Sequence, residues 1–208
     1  MQTNKPLIVE PIGLDLATLA RPIEWRTLFG NDHPIELEIG SGKGTFITEQ
    51  AKARPQTNFL GIEWANWFYR YASDRLRRAG CNNAHMVRAE ASFFLNEYIP
   101  AESISVLHIY FPDPWPKARH NRRRLIQPKF MPIAHRVLAA GARLQIVTDH
   151  KGYWEENIEP AVRRAAGFEV ADYVRPGSAN EGEFVGTNFE RKYRREGRPF
   201  YAIAAIKK

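Results

Sequence analysis

Along the 208-residue chain, short apolar runs alternate with stretches whose apolar residues recur at helical spacing. Residues 35–39 read as a first strand, followed by the turn Gly40-Ser41-Gly42-Lys43-Gly44 and a helix through Phe46, Ile47 and Ala51. Residues 58–62 predict a second strand. Asn66 stands where it can cap a helix carrying Phe68, Tyr71, Ala72, Leu76 and Ala79, with Gly80 to end it. Residues 84–88 are a third, short strand. Val106, Leu107, Ile109, Tyr110 and Phe111 form a nearly continuous apolar run, as a strand buried on both faces of a parallel sheet does. Farther on, Phe130, Ile133, Ala134, Val137 and Leu138 make one helix face closed by Gly141, with Pro132 set either to kink it or to delay its start. Residues 143–148 are a fifth strand. Trp154, Ile158, Val162 and Ala165 mark another helix, which contains Pro160. Residues 168–174 and 200–206 are the sixth and seventh strands.

Strands alternating with helices predict an α/β domain, doubly wound around a mostly parallel seven-stranded sheet. The domain spans residues 34–208. Residues 1–33, with Pro6, Pro11 and Pro22 among short apolar pieces, read as an N-terminal arm with a short helix near 16–20. The loop at 176–199 is long for a compact domain, and such loops usually carry function.

Composition narrows the class without choosing a function. Net charge is +7 and the pI about 9.6, which suits a polyanionic partner. The single cysteine, Cys81, cannot close a disulfide within the chain, and no apolar run is long enough to span a bilayer. The expectation is a cytoplasmic protein that uses no membrane. The histidines lie in no metal-ligand spacing, so no metal is expected. No motif fixes an oligomeric state.

The chemistry gathers at strand ends. Gly40, Gly42 and Gly44 follow a strand and open a helix, where the backbone must turn tightly and approach a ligand. A dinucleotide site prefers G-x-G-x-x-G, and here the third glycine is misplaced. Glu38, inside the strand before that turn, suits a ligand with a positive charge, such as the ammonium and sulfonium of S-adenosylmethionine. Glu63 ends the second strand, where a carboxylate can accept both hydroxyls of a ribose; this says nucleoside and no more. After the fourth strand, Pro112, Pro114 and Pro116 force a rigid extended loop that carries Asp113. The cations Lys117, Arg119, Arg122, Arg123 and Arg124 follow at once. A fixed carboxylate beside a phosphate-binding surface suggests work on a nucleic acid.

Several of these segments together resemble the tRNA (guanine-N7-)-methyltransferase family. They are LEIGSGKG at 37–44, GIEW at 61–64, PDPWPKARHNRRRL at 112–125, TDH at 148–150 and GTNFERK at 186–192. The resemblance implies a class I S-adenosylmethionine-dependent enzyme that methylates N7 of a guanine in the variable loop of tRNA, forming 7-methylguanosine. It implies Asp113 at the catalytic centre beside the cofactor, Glu38, Gly40, Gly42, Glu63 and Trp64 around that cofactor, and Glu90-Ala91 at its adenine. It also implies Lys117, Asp149, Thr187, Asn188, Phe189 and Glu190 at the substrate, with Arg119 and Arg122–Arg124 on the tRNA backbone. The family more often has Asp, Lys and Lys where this chain has Glu90, Ala118 and Asn188. A small-molecule methyltransferase, a nicotinamide-dependent oxidoreductase and a non-catalytic RNA-binding module are the rivals. The basic run argues against the first and the glycine spacing against the second.

Overall fold

The computed structural model describes residues 6–208, except for the side chains of Ala118 and Asn188. The first pieces are β1 (Gly13–Leu14), α1 (Trp25–Phe29), β2 (Ile35–Ile39), α2 (Thr45–Ala53), β3 (Asn58–Ile62), α3 (Asn66–Arg78), β4 (Ala84–Val87), α4 (Ala91–Tyr98) and β5 (Ile104–Tyr110). The chain continues with α5 (Met131–Val137), β6 (Leu138–Thr148), α6 (Lys151–Tyr153), α7 (Glu159–Arg163), β7 (Phe168–Ala171), α8 (Asn188–Arg195) and β8 (Tyr201–Lys207). One sheet takes all the strands in the order β1-β4-β3-β2-β5-β6-β8-β7. β8 runs antiparallel to both β6 and β7, and the other pairs are parallel.

The doubly wound expectation holds, with eight strands in place of seven. The extra one is β1, which pairs through two residues with β4 at the sheet edge. It comes from the arm, where Ile12 and Ile23 are also buried. The short helix expected near 16–20 is a turn instead, because Asp15 accepts the amide of Ala17 on its side chain and competes with helical bonding. Asn66 opens α3 and Ala65 takes the cap position, with no side-chain cap bond. Pro132 delays its helix: a 3-10 turn, Pro128–Phe130, leads in, and Pro132 sits in the first turn, where its missing N–H costs nothing. That helix ends at Val137, and Gly141 lies inside β6 in left-handed backbone, at an irregularity of the β5–β6 ladder. A π-helical turn, Trp154–Ile158, precedes Pro160 and admits it. The long loop at 176–199 contains α8.

β2 is the centre of the fold, and all five of its residues are buried. Along it Glu36 and Glu38 alternate with Ile35, Leu37 and Ile39, so the two carboxylates share one face of the sheet. Their fates differ. Burial alone pushes Glu36 up, but hydrogen bonds with His108 (2.8 Å) and a bidentate pair with Arg54 (2.6 and 2.7 Å) outweigh it and hold the carboxyl at about 2. The folded value lies below the ordinary 4.5. Its stabilisation is therefore complete above pH ~4.5 and disappears as pH falls toward 2. Urea unfolding between pH 5 and 2 should show about 2–3 kcal/mol of extra loss relative to Glu36→Gln. Parallel curves for the two proteins would contradict it.

The chain returns from β4 to lay β5 beside β2, on the side away from β3. The strand order thus reverses at β2, and the crevice for a ligand opens at the carboxyl ends of β2 and β5.

Candidate active site

A cleft of about 840 Å³ opens there. Its floor is the end of β2 and the turn after it. Gly40, Gly42 and Gly44 all have left-handed backbone (φ 78°, 53° and 67°), which a side chain would strain. A Cβ at Gly44 would stand 2.8 Å from Cβ of Ala72, so the absence of one brings α2 close to α3. Beside Gly40 and Gly42 the space where a Cβ would stand has no protein atom within 4 Å. That space lies at the cleft, which both glycines line.

Glu38 lies in this floor, 5% exposed, with Oε2 lacking any hydrogen-bond partner; Ser41 Oγ beside the turn lacks one too. Burial pushes the Glu38 carboxyl up to about 8; the nearby Ser41 hydroxyl opposes the rise and the neighbouring charge of Glu63 adds to it. A buried carboxylate without a partner is costly unless a cation meets it. The floor therefore fits a ligand that brings an ammonium. Glu63, at the end of β3, accepts the amides of Gly42 and Ala65 (2.8 Å each), which lock its orientation toward the cleft it lines. Glu90 also lines the cleft and caps α4, accepting from the amides of Ser92 (3.0 Å) and Phe93 (2.7 Å). Trp64, 67% exposed, and Ala91 complete that wall.

Opposite, β5 ends at Tyr110 and the proline-rich loop begins. Phe111 (φ 51°) and Trp115 (φ 44°) both have left-handed backbone, a strained state for bulky residues that clusters at functional sites. Between them Asp113 projects at the rim, exposed and part of the cleft wall. Arg124 supports the loop from behind, donating from Nε to the carbonyl of Pro114 (2.8 Å) and from Nη1 to Glu156 (2.7 Å) and Asn157. Its side chain is 3% exposed and packs on the Tyr153 ring. The assignment of Arg124 to the tRNA backbone is thus corrected: a guanidinium committed to three protein acceptors is not offered to a phosphate. Arg122 and Arg123 are exposed at the cleft, Arg123 over the Trp115 ring at 5.0 Å. Arg119 and Lys117 are exposed outside the cleft lining.

The C-terminal segment closes the cleft in part. Thr187 caps α8, accepting from the amide of Glu190 (3.1 Å), and lines the wall with Phe189, whose ring lies 5.2 Å from Phe111. Glu190 is fully buried away from the cleft. It accepts the amides of Phe184, Val185 and Gly186 and pairs with Arg194, so its carboxylate organises the loop that carries Thr187 and Phe189. Asp149 lies outside the cleft lining, and its carboxylate pairs with the half-exposed Arg198 at 2.9 Å. Asn188 begins α8, and its side chain lies outside the described residues.

The cleft also gathers residues that the sequence did not single out: Ser41, Lys43, Tyr110, Lys129 and Lys192. Lys43 and Lys192 lie within the quoted segments, so their position was a signal. Lys129 carried none. Tyr110 belongs to a buried chain of hydrogen bonds, Glu36–His108–Tyr110, and Tyr173 donates to the carbonyl of Phe184. Burial pushes the Tyr110 and Tyr173 hydroxyls well above their ordinary range, so both stay neutral. Among the described residues no group of His, Cys, Asp or Glu could hold a metal ion, and no helix is long and apolar enough to cross a membrane.

Residues 32–203 match the family model Methyltransf_4, described as "Putative methyltransferase". Proteins named tRNA (guanine-N(7)-)-methyltransferase are similar over most of their length. The one from Myxococcus xanthus is 31% identical, over 97% of both chains. Those from Streptococcus thermophilus (32%) and Listeria monocytogenes (34%) align over 88% of this chain and 84% of theirs. Among solved structures, the aminoglycoside resistance methyltransferase NpmB1 superposes with a TM-score of 0.60 at 16% identity, over 88% of this chain and 92% of that one. A SAM-dependent methyltransferase from Aquifex aeolicus gives 0.56 at 16% identity, over 86% of each. At such identities these two neighbours speak for the fold.

Proposed function

We infer the function from the premise that this chain belongs to the tRNA (guanine-N(7)-)-methyltransferase family: it transfers the methyl group of S-adenosylmethionine to N7 of a guanine in tRNA. We propose further that the guanine lies in the variable loop, that residues 34–208 form the catalytic domain, with 1–33 an arm laid on it, and that the enzyme works in the cytoplasm. Neighbouring ends of β2 and β5 carry the reading. An unpartnered buried carboxylate, Glu38, stands in the floor of the cleft that Asp113 borders.

Glu38 would meet the cofactor's ammonium, Glu63 its ribose, and Gly40 and Gly42 its methionine portion, with Trp64, Glu90 and Ala91 around the adenine. When bound, the cofactor supplies an electrophilic methyl on a sulfonium. Guanine N7 has a free lone pair, so attack needs no general base, and the protein's task is alignment. Asp113 at the rim would accept the guanine's ring N–H and amino protons and favour the positive charge that methylation leaves on the purine. Thr187 and Phe189 form the facing wall. Nucleoside mass spectrometry of unmodified tRNA, incubated with the protein and S-adenosylmethionine, should show 7-methylguanosine. Its absence would overturn the reading.

The arginines divide into two kinds. Replacing Arg122 and Arg123 by Ala should lower the salt slope of tRNA binding by about 1.4–1.8, because two phosphate contacts are lost, and leave the melting temperature alone. Replacing Arg124 by Ala should cost on the order of 2 kcal/mol of stability, since it frees the proline loop and leaves its acceptors unpaired. Salt-dependent binding together with thermal unfolding tells them apart; a stable Arg124→Ala protein with a reduced salt slope would reverse the assignment.

A further inference from the structure

Outside the cleft, one face of α3 carries a stripe of rings and cations. Trp67, Tyr71 and Arg75 recur every fourth residue, so they lie in a row along the helix. The row is about 12 Å long at 1.5 Å per residue. The Trp67 and Tyr71 rings stack with centroids 5.3 Å apart. Lys43 Nζ sits 5.8 Å from the Trp67 centroid and 5.9 Å from that of Tyr71, and the Arg75 guanidinium lies 5.5 Å from Tyr71. Trp67 nonetheless stays 54% exposed. The row starts at the cleft, which Lys43 and Phe68 line. It ends at a hollow of about 300 Å³ between α2 and α3, lined by Lys52, Tyr71, Arg75 and Arg78 together with Glu49. Arg77 and Arg78 are paired with Asp74, whereas among the described residues Lys43, Lys52 and Arg75 make no ion pair.

We propose that this stripe is a second RNA-binding surface, on which an unpaired base stacks against Trp67 while the flanking phosphates meet Lys43, Arg75 and Lys52. It rests on the reading of the protein as a tRNA methyltransferase. Alternating flat rings and cations match the alternating bases and phosphates of a single strand. A duplex keeps its bases stacked inside and would leave the Trp67 face unused. Position supports the assignment: β3 and β5 flank β2, so α3, which follows β3, and the Arg122–Arg123 pair lie on opposite sides of the cleft. A substrate held from both sides presents its guanine to the cleft between them.

The test compares Trp67→Ala, Trp67→Phe and the double variant Lys52→Ala/Arg75→Ala with the unmodified protein. Affinity for unmodified tRNA is measured over a salt series, beside steady-state methylation. Trp67→Ala should weaken tRNA binding about tenfold, the scale of one lost stacking contact, and Trp67→Phe should restore most of it. The double variant should lower the salt slope by about 1.4. All three should raise KM for tRNA and leave kcat, S-adenosylmethionine affinity and the melting temperature unchanged. Unaltered tRNA affinity and salt slope would overturn the proposal. So would a Trp67→Ala protein that turns from dimer to monomer in sedimentation while binding tRNA as before, because the stripe would then be a self-association face. If the unmodified protein fails to methylate tRNA, the functional reading falls and this proposal with it; if it methylates tRNA and the variants bind normally, only this proposal falls.

Discussion

Glu38→Gln should weaken S-adenosylmethionine binding about 10–150-fold near neutral pH, the scale of one charge-assisted contact. The unmodified protein should also bind the cofactor more tightly as pH rises. With its carboxyl pushed up to about 8, Glu38 is mostly protonated at pH 6, and pairing with an ammonium requires the ionised form. One proton must then leave on binding, so affinity should improve close to tenfold per pH unit between pH 5.5 and 7. Calorimetry in buffers of different ionisation heat counts that proton directly. The Gln variant should lose both the slope and the proton release.

The free enzymes should behave in the opposite sense. A folded carboxyl raised from 4.5 to about 8 contributes stability that is complete below pH ~4.5 and lost as pH climbs to 8. Glu38→Gln should therefore make the cofactor-free protein more stable at pH 8, by roughly 1–3 kcal/mol. Better folding with worse binding is what a destabilised binding group predicts. A variant that binds as the parent does, with a pH-independent parent affinity, would remove Glu38 from the site. Two residues earlier on the same strand, Glu36 titrates the other way, because Arg54 and His108 already satisfy it.

Asp113→Asn should slow single-turnover methylation by about 10²–10³ while tRNA affinity falls only a few-fold. The substitution keeps the shape and one acceptor, removes the charge and turns the other acceptor into a donor. A preorganised charge matters most when charge develops on the purine, which is why the rate should suffer more than the binding. Full single-turnover rate in the variant at saturating tRNA and S-adenosylmethionine would refute the role. The catalytic claim would then move to Asp149, which would have to leave its pair with Arg198, or to Glu190, now held by three amides and Arg194.

Sequence by itself determined the parts of this protein that depend on local chemistry. The nearly continuous apolar run of β5 made its place in the centre of a parallel sheet legible, and β2 and β3 were legible as short strands alternating with helices. The glycines had to mark a turn at a strand end, and three prolines within five residues had to hold Asp113 in a stiff loop. Tertiary structure alone decided what each charge faces. Arg122, Arg123 and Arg124 are identical neighbours that all line the cleft, yet after a 3-10 turn the third is buried against Pro114, Glu156 and Asn157 while the first two stay exposed. Glu36 and Glu38 point to the same face of one strand, and only the packing of Arg54 and His108 against the first makes one a structural anion and the other an unpaired one. Glu190 sits in a segment that reads as substrate-binding, but three amides of a loop closing on itself claim its carboxylate. The edge strand from the arm, the early end of α5 and the row along α3 were settled in the same way. A residue's type and spacing fix which bonds it can make, whereas its partners come from elsewhere in the chain, and only the fold brings them within reach.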